Sequence, residues 1–265
     1  MFAGLAPARR RLLLGILAVT VAAVLVGVFF AVRTALPSDP VPQDQPGPVL
    51  MVPGLGGSTT GLDVLASRLE ADGRDVTVIS LPGDGTGDLR EQARVLDAAV
   101  DAALERTGAP SVDIVGYSAG GIVARFWLAD LGGADVARRV LTLGSPHHGT
   151  QLASLAADVA PGACLACTQL APDSDLLTQL NAADETPDGP EYVSIWTTLD
   201  ETVTPPDSAR LHGALAITVQ SVCADSLVSH GELPRDRLVG GIVAEEIGAD
   251  SPVQLSAADC GRLSS

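Results

Sequence analysis

The chain has no lysine. Its positive charge is carried by 16 arginines, four of them within the first 33 residues, which hold no acid. The remaining residues therefore set 12 Arg against 32 Asp and Glu, a formal charge of −20. A surface of that sign has no basic face with which to neutralise phosphates, so nucleic-acid binding is excluded as a function class. The same surface is repelled by anionic lipid and stays soluble through self-repulsion. Without lysine there is no G-K-[ST] ending for a phosphate-binding loop. The Gly-rich run Gly54-Leu55-Gly56-Gly57 also lacks G-x-G-x-x-G spacing. Histidine is scarce, with only four residues available as a base. No internal repeat is present.

Charge is also missing from one long stretch. Leu12 to Val32 contains no charged residue and lies between Arg9-Arg10-Arg11 and Arg33. As a helix it measures about 32 Å, the thickness of a bilayer core. Apolar residues run all round it, unlike a helix on a soluble core. The residues after it make a poor small-residue cleavage site, because Arg33 occupies the −3 position for cleavage after Ala35. The expectation is an uncleaved signal anchor over 12–32, with a cytoplasmic basic segment at 1–11 and the rest of the chain outside. Secretion after signal cleavage is the alternative. Residues 33–47, with Pro37, Pro40, Pro42 and Pro46, read as a Pro-rich linker.

A folded domain is expected over 48–265. Val49-Leu50-Met51-Val52 is continuously apolar, as suits a parallel strand covered on both faces. Helix and strand patterns then alternate. Thr60 is placed to cap a helix over Gly61–Ala71, and Val76–Ile79 reads as a strand. Asp88 is placed to cap a helix in which Leu89, Ala93, Leu96, Val100 and Leu104 share a face, ended by Gly108. Val112–Val115, Val140–Leu143, Tyr192–Thr197 and Leu215–Val222 read as strands, with a short helix over Leu176–Leu180 and a closing helix over Arg235–Ile247. This alternation implies an α/β fold, a mostly parallel sheet with helices on both faces.

Gly116-Tyr117-Ser118-Ala119-Gly120 stands between a predicted strand and a predicted helix. Gly-x-Ser-x-Gly in that context is a nucleophile elbow, in which a strained turn exposes the serine between small neighbours. The bland alternative is a tight strand-to-helix turn with an incidental serine. A serine nucleophile needs a base, and the base needs an orienting acid. In hydrolases built on such an elbow they follow in the order Ser, acid, His. His147 and His148 precede any acid in that order, and His212 sits in a stretch read as a short surface helix. His230 lies after the last predicted strand, where the base belongs. Asp200 follows the strand ending at Thr197, with Glu201 and Asp207 as rivals in the same loop and Asp225 near His230. The carboxyl end of a parallel strand favours Asp200 over Asp207. Backbone amides of Ala119 and Leu55 are the candidate oxyanion donors.

Five segments together resemble a bacterial secreted lipase of the α/β-hydrolase fold, of the class 2 lipase kind. They are Val52-Pro53-Gly54-Leu55-Gly56-Gly57, the elbow to Gly121, Gly144-Ser145-Pro146-His147-His148-Gly149-Thr150, Asp200-Glu201-Thr202-Val203-Thr204-Pro205 and Val228-Ser229-His230. The likeness spans about 48–250. It implies Ser118 as nucleophile, Asp200 as acid, His230 as base, and the Leu55 and Ala119 amides as the oxyanion hole. Many relatives have His-Gly at Pro53-Gly54, a departure outside the triad. His147-His148 reads as structural or pocket-lining rather than metal-binding. The four cysteines allow three pairings, and the resemblance implies Cys164–Cys167 with Cys223–Cys260. Zinc at Cys164-x-x-Cys167 lacks a second ligand pair.

The expected protein is a membrane-anchored extracellular serine carboxylester hydrolase, a lipase or esterase. It would act on an acyl ester or lipid as a monomer, without metal or organic cofactor. An acyltransferase using the same triad, or a dead hydrolase fold serving as a binding module, are the alternatives. Residues 150–190 fit either a partial lid or a pocket wall.

Overall fold

The computed structural model describes residues 15–18, 20, 21, 24, 41–159, 162–182 and 184–265. The described residues between 15 and 24 are helical, and Thr20 Oγ1 donates to the Ile16 carbonyl at 2.8 Å. Among the described residues no helix is long and apolar enough to cross a membrane. The span expected over 12–32 falls largely outside the described residues.

Six strands form one parallel sheet: β1 (Val49–Val52), β2 (Val76–Val78), β3 (Val112–Tyr117), β4 (Ala137–Leu143), β5 (Glu191–Trp196) and β6 (Leu215–Thr218). Their spatial order is β2-β1-β3-β4-β5-β6. β3 and β4 thus stand at the centre, with Met51 of β1 beside Val115 and Gly116 beside Thr142. Side chains alternate between faces, as pleating requires. Leu50, Val52 and Ile114 pack against α2 (Leu89–Thr107) and α3 (Ala119–Asp130). Val49, Met51 and Val115 pack against α1 (Thr60–Ala71) and, near the end of the chain, Arg237–Glu246. Continuous apolarity in the strands is therefore burial on both faces.

The 150–190 region contributes three short helices to the first face: α4 (Gln151–Val159), α5 (Leu165–Gln169) and α6 (Asp175–Asn181). Leu176, Leu177 and Leu180 are buried there, whereas Leu152, Leu155 and Val159 of α4 are exposed. The inner part is core, and α4 together with Leu165 of α5 presents apolar side chains outward. Cys164 pairs with Cys167, and Cys223 with Cys260.

Several boundaries differ from the sequence reading, each for a local reason. The strand expected to run to Val222 ends at Thr218, whose hydroxyl accepts the Ser221 amide and starts a short helix, α7 (Val219–Val222). The closing helix starts at Arg237 instead of Arg235, because the Asp236 carboxylate caps it by accepting the Val239 amide at 3.1 Å. That helix is α8 (Arg237–Glu246), followed by α9 (Cys260–Leu263). Asp88 caps α2 as expected, accepting the Arg90 amide. Thr60 is already inside α1 instead of capping it. His212 lies in a turn beyond a 3₁₀ segment at Pro206–Ala209, not on a helix. Residues 41–47, read as part of a free linker, lie against the domain. Arg138 donates to the Gln43 carbonyl at 2.8 Å, Arg74 donates to the Gly47 carbonyl at 3.0 Å, and Val41 is buried.

Candidate active site

The centre of the sheet ends in a tight turn. β3 stops at Tyr117, α3 begins at Ala119, and Ser118 between them has φ 53° and ψ −124°. A non-glycine residue rarely holds such a backbone, so its surroundings must over-determine it. They do so by close approach. A Cβ on Gly116 would sit 2.6 Å from the Gly121 Cα, and one on Gly120 would sit 2.2 Å from the Val52 carbonyl oxygen. The glycines of the motif are demanded by contact between strand and helix, and the result is a serine standing clear of both.

Two loops bring partners to it. β5 ends at Trp196, and Asp200 follows in the next loop, buried. Its Oδ1 accepts the amides of Thr202 at 2.9 Å and Val203 at 2.7 Å, which fixes the carboxylate's orientation. Its Oδ2 lies 2.7 Å from His230 Nδ1. His230 opens a 3₁₀ turn whose capping box is made by Ser229 and Glu232. Its Nε2 lies 3.1 Å from Ser118 Oγ. With the carboxylate as acceptor, Nδ1 carries the ring proton and Nε2 presents a lone pair to the hydroxyl. Glu201, Asp207 and Asp225 make no contact of this kind. Gly144, at φ +56°, allows the turn after β4 to pass close beneath, since a Cβ there would lie 3.1 Å from His230 Nδ1.

Leu55 lies in the turn after β1, and Ala119 is the first residue of α3. The two loops meet: a Cβ on Gly54 would come within 2.9 Å of the Ser118 Cβ. An amide at the first position of a helix has no intrahelical partner, so Ala119 N–H is free for a ligand. Tyr117 was not singled out from the sequence. Its hydroxyl donates to the His230 carbonyl at 3.3 Å, and burial, with the nearby Asp200 charge, pushes its phenol up to about 12. It is a neutral donor steadying the histidine turn. A position inside the elbow motif was the available signal. Beside it, Leu55, Tyr117, Gly231 and Pro234 line a cleft of about 280 Å³. Leu55, Leu199 and Leu227 are exposed next to the elements that carry these groups.

The other histidines lie elsewhere. His147 is fully buried, 3.1 Å from Thr142 Oγ1, and burial followed by the Arg125 charge holds its pKa well below the ordinary value. It is a neutral structural residue. His148 and His212 both reach Glu185.

A family model described as the alpha/beta hydrolase fold matches residues 47–162. Over 122 residues the chain is 34% identical to a triacylglycerol lipase of Pseudarthrobacter phenanthrenivorans, covering 42% of this chain and 37% of that protein. A triacylglycerol lipase of Burkholderia plantarii matches at 34% identity, covering 42% of this chain and 33% of its own length. The chain thus spans about a third of the length of the curated relatives it matches. Among solved structures, lipase B of Aspergillus fumigatus superposes with a TM-score of 0.71 at 18% identity, over 86% of this chain and 59% of that one. The mature form of a Bacillus licheniformis lipase does so with a TM-score of 0.56 at 25% identity, over 68% and 86%. The chain has the α/β-hydrolase fold, with a parallel sheet covered by helices on both faces.

Proposed function

We propose that this α/β-hydrolase chain is a serine carboxylester hydrolase in which Ser118, His230 and Asp200 act as a triad. The observation that carries the reading is the relay itself, 3.1 Å from Ser118 Oγ to His230 Nε2 and 2.7 Å from His230 Nδ1 to Asp200. The similarity to triacylglycerol lipases supports an acyl ester or lipid as the substrate.

In this mechanism Ser118 Oγ attacks the ester carbonyl while His230 Nε2 takes its proton. The carbonyl oxygen becomes an oxyanion and accepts hydrogen bonds from the Leu55 and Ala119 amides. One such donor is worth about 3–4 kcal/mol of barrier. The imidazolium, held by Asp200, returns the proton to the departing alcohol. Water then attacks the acyl-enzyme by the same route, and Ser118 is restored. Leu55, Leu62, Tyr117 and Pro234 give the cleft an apolar lining for an acyl chain, alongside Ser58, Thr60 and Arg235.

Replacing Ser118 by Ala tests this. Hydrolysis of p-nitrophenyl butyrate should fall by roughly 10⁴- to 10⁶-fold with the fold intact. A folded variant hydrolysing at the parent rate contradicts it. A rate series from acetyl to palmitoyl esters then reads the length of chain the cleft accepts.

The domain is further proposed to be held outside a bacterial membrane by the uncharged run from Leu12 to Val32, which follows three arginines and matches a bilayer core in length. Extraction of the full chain from membranes by alkaline carbonate, without detergent, contradicts that anchoring.

A further inference from the structure

The two histidines that the triad and the core leave unused converge on a single carboxylate. His148 Nε2 and His212 Nδ1 each lie 3.0 Å from Glu185 Oε1. The donor atoms of all three residues fall within 4.8 Å of one another. We propose that His148, Glu185 and His212 form a binding site for a divalent transition-metal ion of the zinc class. This departs from the sequence reading, which placed no metal at His147-His148. The missing ligand is Glu185, 37 residues further on, and nothing local in the sequence pairs them.

The donor set suits that class of ion. Two imidazoles and one carboxylate favour a borderline-soft cation over calcium or magnesium, which take oxygen ligands. Bond lengths of about 2.0–2.2 Å put tetrahedral ligands about 3.4 Å apart. The two separations from Glu185 are already close to that. The remaining closure falls to His212, whose side chain is 70% exposed and whose ring packs against that of His148 at a centroid distance of 4.8 Å. Solvent supplies the fourth position.

The surroundings hold the ligands in place, as the shell around a metal site must. Glu185 Oε2 accepts the His212 backbone amide at 3.0 Å, which orients the carboxylate. Thr186 Oγ1 donates to the His212 carbonyl at 3.3 Å, and the His148 amide donates to the Ser208 carbonyl at 3.2 Å. The Glu185 side chain is 9% exposed. Arg125 opposes a cation. The large excess of acids in the domain around it offsets that charge.

Three separate segments would be joined: the turn after β4, the α6–β5 connection and the loop before β6. Glu185 also lines a pocket of about 260 Å³ with Arg125, Phe126 and Leu180. A bound ion would therefore pin one wall of that pocket to the sheet, a stabilising role away from the reacting atoms.

The test is calorimetric titration of the EDTA-treated full chain with Zn²⁺ alone. Thermal unfolding is followed in parallel, and Co²⁺ substitution is read by visible absorption. One Zn²⁺ per chain, a raised Tm and tetrahedral Co²⁺ bands are expected. The exposed His212→Ala should weaken binding by about tenfold or more while remaining folded. No binding at micromolar Zn²⁺, or equal binding by wild type and His212→Ala, overturns the proposal and leaves the three residues as a hydrogen-bonded trio. The titration uses no ester, so its outcome is independent of the function proposed for Ser118, and Ser118→Ala should bind Zn²⁺ as wild type does.

Discussion

Strand β3 holds Asp113 near its amino end and delivers Ser118 just beyond its carboxyl end, and the two ends are built on opposite terms. Asp113 is fully buried. It accepts from Arg138 at 2.8 and 2.7 Å and from Arg74 at 2.5 Å. Arg138, equally buried, donates onward to the carbonyls of Gln43, Ile247 and Gly248. Every charge removed from water there has a partner, and the network ties chain segments from both ends of the domain. At Ser118 the backbone is strained and its partners come from loops. The strand's amino end secures the fold, and its carboxyl end holds Ser118, the proposed nucleophile, in a conformation that the rest of the fold sustains. Damage at one end should therefore be separable from damage at the other.

The largest effect expected is kinetic. Asp200→Asn keeps a hydrogen-bonding side chain but loses control of the imidazole tautomer, so ester hydrolysis should fall by about 10⁴-fold. Urea unfolding should change little. Asp113→Ala should do the reverse. It leaves Arg138 and Arg74 uncompensated and should cost about 3–5 kcal/mol in urea unfolding, with the rate per folded molecule unchanged. If Asp113→Ala molecules that remain folded are inactive, the separation fails. Gly120→Ala at the carboxyl end should lower both quantities, because its Cβ meets the Val52 carbonyl at 2.2 Å. It should cost about 1–3 kcal/mol of stability and, by shifting the elbow, about 100-fold in rate.

A smaller effect is set by pH. Glu246 is buried at the end of α8, and burial, opposed by the Val253 amide, pushes its carboxyl up to about 7. The folded value lies above the ordinary 4.5. The stability associated with the protonated group is therefore full below about 4.5 and is lost as pH rises through about 7. Tm should decline over that window in wild type and stay flatter in Glu246→Gln. An identical decline in both would assign it to another group. The smallest effect is that of Tyr117→Phe, which removes the bond to the His230 carbonyl. It should cost about 0.5–1.5 kcal/mol in urea unfolding.

The carboxyl end was the more legible in the sequence. The elbow glycines and the strand before them follow from local sterics, and the ends of later strands pointed to Asp200 and His230, which the structure brings to Ser118. Those are written in short stretches of chain. The securing end was not legible, because Asp113 reads as one acid among 32, and only the tertiary fold brings Arg74, and Arg138 at an irregularity in the β3–β4 ladder, to it. Residues 41–47 read as a linker from their prolines, yet they dock through backbone carbonyls, which no side-chain pattern reveals. The ends of β6 and α8 shifted where Thr218 and Asp236 acted as caps. Tyr117 sits within the motif, but its role depends on a turn 113 residues away.

Activation of Ser118 by His230 and Asp200 is read by reaction with a fluorophosphonate, followed by peptide mass spectrometry. One adduct per chain on the peptide carrying Ser118 is predicted, and His230→Ala should form it far more slowly. No adduct, an adduct on a different serine, or labelling of Ser118 at the same rate in His230→Ala would contradict it.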